Sequence, residues 1–113
     1  MALIQWQTKA KRHLKDLFDY YRDAASDSIA ISLRDTIVSE VGLLEQYPDM
    51  GQVDEELSTG DAQYQFLIIK WSKRTYRVYY LHESGKCYIA AIWDCSMNPK
   101  KRKARVVTHL RRS

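Results

Sequence analysis

The sequence is poor in residues that break or staple a chain, with four glycines, two prolines and two cysteines among 113 residues. So little Gly and Pro excludes collagen-like and low-complexity chains, and a 45% hydrophobic, 12% aromatic composition is enough to build the core of one domain. Cys87 and Cys95 lack C-x-x-C spacing, and in extended chain they would stand about 26 Å apart at ~3.3 Å per residue. A bridge between them is excluded in that conformation, because a disulfide needs Cα atoms within roughly 7 Å. Free thiols in a reducing compartment are expected. No apolar run approaches the roughly 18 residues of a membrane span, and Met1 to Thr8 lacks the apolar stretch of a signal peptide, so a cytoplasmic protein without membrane contact is expected. A Gly-rich phosphate loop, an H-E-x-x-H motif and zinc-ligand spacing are also missing, and neither metal nor cofactor is expected.

Charge is present but segregated. Residues 1–15 carry Lys9, Lys11, Arg12 and Lys15 and no acid; residues 16–61 sum to −10, and residues 62–113 to +10. Such polarity along one chain points to a face for polyanions and another for a cationic partner, although solvated helix faces account equally well for the middle stretch. From Cys95 onward seven basic residues, Lys100, Lys101, Arg102, Lys103, Arg105, Arg111 and Arg112, occur without an acid. Phosphate backbone is the common target of such runs, and solubility or ordering on a partner are the alternatives.

Leu3 to Gln7 reads as a short strand, after which Thr8 can cap a helix with apolar positions at Ala10, Leu14, Leu17, Phe18 and Tyr21. Ser26 can cap a second helix with its stripe at Ile29, Leu33, Ile37, Val41 and Leu44, ending before Pro48. An antiparallel helical hairpin is expected. After the turn chemistry of Pro48 to Gly51 and an acidic aperiodic segment, three strand-like runs follow: Gln63 to Lys70, Thr75 to Leu81 and Cys87 to Trp93. The short connections between them predict an antiparallel meander. The class is therefore α+β, in the order β-α-α-β-β-β, with the helical hairpin on one sheet face.

Lys70, Lys73, Arg74 and Arg77 run from one strand into the next and are candidates for nucleic-acid contact, as are Lys100 and Lys101. Strand alternation places Arg77 opposite Tyr76, Val78 and Tyr80, and if the helices cover that triad Arg77 projects onto a free face. A guanidinium held there can fork onto phosphate and stabilise charge on a scissile phosphodiester; an ordinary exposed strand arginine is the plainer reading. His13, His82 and His109 are scattered and receive no role.

The element order, the L-x-x-x-P-x-x-G stretch from Leu44 to Gly51, the run Tyr76-Arg77-Val78-Tyr79-Tyr80 and the closing Ile92 to Pro99 together resemble the RelE/ParE superfamily of type II toxin-antitoxin toxins. The resemblance spans residues 2 to about 103, so a toxin domain over 1–103 and a basic tail over 104–113 are expected. It implies a bacterial growth-inhibiting toxin, encoded with a small antitoxin partner, of the plasmid-stabilisation kind. RelE-type members cleave mRNA in the ribosomal A site without metal, making ribosome and mRNA the partners. ParE-type members poison DNA gyrase and lack the nuclease constellation. Arg77 matches the strand arginine of the ribonuclease branch, and Glu55 is the nearest match to the loop carboxylate that some relatives use as base. Gln65 and Leu67 fall where RelE-like members place lysines, and Ser96 and Met97 fall where an arginine is usual. The resemblance thus implies mRNA cleavage with Arg77 and Glu55 as catalytic residues, with gyrase poisoning, or a basic nucleic-acid-binding module, as alternatives.

Overall fold

The computed structural model describes residues 1–58 and 62–107. His109, Arg111 and Arg112 of the expected tail lie outside the described residues. The elements run β1 (Leu3–Trp6), α1 (Thr8–Ala24), α2 (Asp27–Gly42), a 3₁₀ turn (Leu43–Glu45), β2 (Gln52–Val53), β3 (Tyr64–Trp71), β4 (Arg74–Glu83), β5 (Lys86–Asp94), a second 3₁₀ turn (Pro99–Lys101) and α3 (Arg102–Val106). They form one five-stranded sheet in the order β1-β5-β4-β3-β2, antiparallel except where β1 runs parallel to β5. The expected α+β class and hairpin-on-sheet layout hold.

The α2 cap is as read from the sequence: Ser26 is extended and its hydroxyl accepts from Ile29 N at 3.2 Å. The α1 cap is not. Gln7 occupies that position without a side-chain cap, because its N–H still bonds Ile89 O at 3.0 Å and prolongs the sheet by one residue, which places Thr8 inside the helix. Leu33, Ile37, Val41 and Leu44 are fully buried against Leu67, Ile69, Tyr76, Val78, Tyr80, Ile89 and Ile92, with Leu14, Leu17 and Tyr21 of α1 packed around them. Ile29 departs from the expected stripe and is exposed at the start of α2.

The turn after the 3₁₀ helix explains the P-x-x-G spacing. Tyr80 Oη donates to Pro48 O at 2.8 Å and accepts from Gly51 N at 3.0 Å. A Cβ on Gly51 would lie 2.7 Å from Tyr80 Oη and 2.9 Å from Phe66 O, so the backbone approaches these atoms where no side chain fits. At the other end of the sheet Ser84 and Gly85 both take positive φ, as a two-residue hairpin turn requires.

Two features depart from the sequence-based expectation. The register of β5 on β4 skips Ala90, pairing Tyr79 with Ala91 and Tyr80 with Ile89. This bulge resets the alternation, so Ile89 and Ile92 both face the helical hairpin while Ala90, Ala91 and Trp93 face the other way. That other face is not free. Leu57, Tyr64, Phe66, Tyr79, Ala90, Ala91, Trp93 and Val106 form a second core on it, covered by the 54–58 turn and by α3. Residues 104–106, expected to begin the basic tail, continue α3, and Val106 is completely buried.

Candidate functional site

Arg77 leaves β4 on the α3 side of the sheet, opposite Ile68 of β3 and Trp93 of β5. Its guanidinium lies over the Phe66 ring at 4.2 Å from the centroid, and Nη1 donates to Tyr79 Oη at 3.1 Å. Tyr79 Oη in turn donates to Asp54 Oδ2 at 2.9 Å, and Arg77 Nη1 stands 3.9 Å from the same carboxylate oxygen. The Arg77 side chain is 30% exposed, which corrects the expected projection from an uncovered face: the second core that covers this side accounts for its burial.

Asp54 is the centre of the cluster and is itself buried. Its N–H bonds Tyr64 O at 2.8 Å, so pairing with β3 orients it, and Oδ1 accepts from Leu57 N at 3.2 Å. From α3, Arg102 Nε comes within 3.7 Å of Asp54 Oδ2, in ion-pair but not hydrogen-bond range, and Arg102 Nη2 pairs with Glu56. Two guanidinium groups and two carboxylates therefore face one another. Burial works against the Arg77 charge, but the Tyr79 bond and the nearby Asp54 outweigh it and raise its pKa above the ordinary value. Burial also pushes the Tyr79 phenol up to about 12, with the Asp54 bond adding to the rise.

Of the residues proposed from the sequence, Arg77 alone belongs to this cluster. Glu55 is exposed beside Asp54, and the carboxylate that meets Arg77 is Asp54. Lys70 shares the Arg77 face by register parity, Lys73 sits in the β3–β4 turn, and Arg74 reaches Asp94 at 3.6 Å and Ser96 Oγ at 3.2 Å. Lys100 and Lys101 are exposed on the 3₁₀ turn before α3. Among the described residues Lys70, Lys73, Lys100 and Lys101 have no ion-pair partner. The charged and phenolic members missed in the sequence are Asp54, Glu56, Tyr79 and Arg102; only Tyr79 had a readable signal, since strand alternation puts residues 77 and 79 on one face.

A second polar junction fixes α3 in place. Beyond the end of β1 the edge of β5 is open at Ile92, and side chains take over the pairing: Ile92 N donates to His13 Nδ1 at 3.1 Å and Arg105 Nε donates to Ile92 O at 3.0 Å. Lys9 Nζ adds a bond to Val106 O at 3.2 Å. His13 must be neutral to accept at Nδ1, and burial, followed by Arg105, Lys9 and Arg12, brings its pKa down to about 4. His82, by contrast, lies at the surface 2.9 Å from Asp49.

No described helix is long and apolar enough to cross a membrane. The comparison with curated proteins finds no match. A solved structure described as the chromosomal ParDE TA system from P. aeruginosa superposes with a TM-score of 0.64, covering 83% of this chain and 96% of that one at 18% identity, a likeness of fold. Residues 4–99, nearly the whole described domain, match the family model for the ParE toxin of the type II toxin-antitoxin system, parDE, and the chain therefore belongs to the ParE toxin family.

Proposed function

We propose that this ParE-family toxin, the partner of an antitoxin, inhibits growth by binding DNA gyrase without catalysing a reaction of its own. The observation that carries this reading is the engagement of Arg77. A guanidinium that stabilises a scissile phosphate needs its donors free and its charge uncompensated. Here one donor is held by Tyr79, the ring of Phe66 covers its face, and Asp54 sets a negative charge beside it. With Arg102 against Asp54 and Glu56, the cluster holds equal numbers of cations and anions and works as a clamp between the 54–58 turn, the sheet and α3. Glu55 has no place in this cluster, and the strand positions Gln65 and Leu67 bring no cation to it. The same features make mRNA cleavage the weaker reading.

Purified protein added to a DNA gyrase supercoiling assay, beside a translation reaction in which the message is mapped for cuts, tests the choice. Inhibited supercoiling with an intact message is the expected result. Cut message on translating ribosomes with unimpaired supercoiling would overturn it.

A further inference from the structure

The side chain of Ile29 belongs neither to the two cores nor to the Arg77 clamp. The Ser26 cap fixes Ile29 in the first turn of α2, where it stays 40% exposed and lines a cleft of about 550 Å³. The helical hairpin supplies one wall of this cleft, with Tyr21 and Ser32 beside Ile29, and the β3–β4 turn supplies the other, from Trp71 to Arg74. Trp71 packs against the core on the helix side of the sheet, so the cleft opens on the face opposite the clamp.

Most polar atoms of the walls bond one another, which leaves ring and methyl surface to a ligand. Trp71 Nε1 donates to Ser32 Oγ at 3.2 Å, and Tyr21 Oη is hydrogen-bonded to Tyr76 Oη at 3.3 Å. The Tyr21 and Trp71 rings meet edge to face with centroids 5.1 Å apart, so the indole is held in one orientation before any ligand arrives. Ser32 Oγ accepts the indole proton and keeps its own for an acceptor on the ligand. At the rim Ser72 has a φ of 55°, which holds a second hydroxyl in a backbone conformation that glycine takes more easily.

The rim is basic. No acid lines the cleft, and residues 62–82 hold Lys70, Lys73, Arg74 and Arg77 without an acid. Arg74 is engaged by Asp94 and Ser96, which leaves Lys73 as the rim cation without an ion-pair partner among the described residues. Aromatic surface beside a free ammonium, with hydroxyls that donate or accept, matches a nucleotide, whose flat base can lie on the indole and whose phosphate can meet Lys73. The apolar side chain of a peptide would fill only part of this volume and would leave the Ser32 and Ser72 hydroxyls idle.

We infer that the cleft between the α1–α2 connection and the β3–β4 turn holds one unpaired base of a single-stranded nucleic acid, between Ile29 and Trp71, with the adjoining phosphate on Lys73. A duplex keeps its bases stacked inside and offers the cleft only phosphate. The inference needs no cleavage of the strand, and it stands whichever target the toxin acts on.

The test titrates the full chain into labelled decathymidylate and into the same strand lacking its bases, followed by fluorescence anisotropy and by the Trp71 indole N–H signal in NMR spectra. Decathymidylate should bind about tenfold or more tightly than the abasic strand or a duplex of the same length, and should shift the indole signal. Ile29→Asp changes an exposed residue in the first turn of α2, where an acid suits the helix, and should erase the preference for the strand with bases while thermal melting reports a folded chain. Trp71→Ala should weaken binding by about five- to 150-fold. Lys73→Ala should flatten the slope of log K against log salt by about 0.7. Thymidine monophosphate should shift the same signals but bind about tenfold or more weakly than the strand, since it lacks the neighbouring phosphates. Equal binding of the abasic strand or of the duplex would reduce the contact to phosphate attraction and overturn the inference. An indole signal that does not move, an Ile29→Asp chain that keeps the preference, a mononucleotide bound as tightly as the strand, or no binding at all would each overturn it too.

Discussion

Removing the Arg77 side chain would leave the Asp54 carboxylate buried with its hydrogen bonds from Tyr79 and Leu57 but with one flanking cation fewer, and would bare the Phe66 ring. Partial exposure and a 3.9 Å separation weaken the ion pair itself, so Arg77→Ala should cost about 1–2 kcal/mol, with much of the loss shared with Asp54. A double-mutant cycle of Arg77→Ala with Asp54→Asn in denaturant melts should therefore give a coupling of at least about 0.5 kcal/mol; additive losses would refute the clamp. His13 offers a second single-residue test through pH. Its folded pKa of about 4 lies below the ordinary 6.5, so between those values the unfolded chain binds the additional proton. Stability due to neutral His13 is whole above pH 6.5 and drains away as pH falls toward 4, by up to roughly 3 kcal/mol. His13→Asn keeps an acceptor for Ile92 N without titrating in this range. Melting curves of the variant should lose the part of the acid destabilisation that wild type shows between pH 6.5 and 4.

At the scale of elements, the turn from Pro48 to Gly51 is tied to β4 by Tyr80 Oη, which bonds both of its ends, and by His82 beside Asp49, and Gly51 has no room for a methyl group. Gly51→Ala should push the turn off β3 and Tyr80 at about 1–3 kcal/mol, read from denaturant midpoints. A midpoint equal to wild type would mean that the turn moves freely. This turn also shows what a sequence can and cannot disclose. Its Pro and Gly announce a turn, the long stripes of α1 and α2 and the alternation of β4 announce those elements because each repeats a period several times, and β3 and β5 show as apolar runs bounded by turns. β2 is two residues long and repeats nothing. α3 has five residues, three of them basic, and its anchoring rests on Val106, too short a pattern to separate from a solvated tail. Asp54 stands in an acidic run with Glu55 and Glu56, and nothing local distinguishes them; what singles out Asp54 is its pairing with Tyr64, which forms only when the chain comes back beside itself as β3. Arg77 was legible as a strand arginine, but its neutral surroundings were not, since Asp54 and Arg102 reach it from elements distant in the chain.

Over the whole molecule the −10 stretch and the +10 stretch meet at the clamp, where Asp54 and Glu56 from the first face Arg77 and Arg102 from the second. The fold thereby engages some of its cations internally. Arg74 is likewise held by Asp94. The cations left facing solvent without a partner among the described residues include Lys70, Lys73, Lys100 and Lys101, and these are free to attract a polyanion. A guanidinium that stays engaged with a carboxylate inside the fold neutralises no phosphate and so displaces no condensed counterion, whereas a free ammonium at the surface can. Binding to labelled duplex DNA, followed by anisotropy across a salt series, separates the two groups. Lys100→Ala with Lys101→Ala should flatten the slope of log K against log salt by up to about 1.8, or about 0.9 for each phosphate that is no longer neutralised. Arg77→Ala should leave the slope unchanged even if it lowers stability. A flatter slope in the folded Arg77→Ala chain would show that its guanidinium reaches phosphate, and would reopen the case for Arg77 in mRNA cleavage.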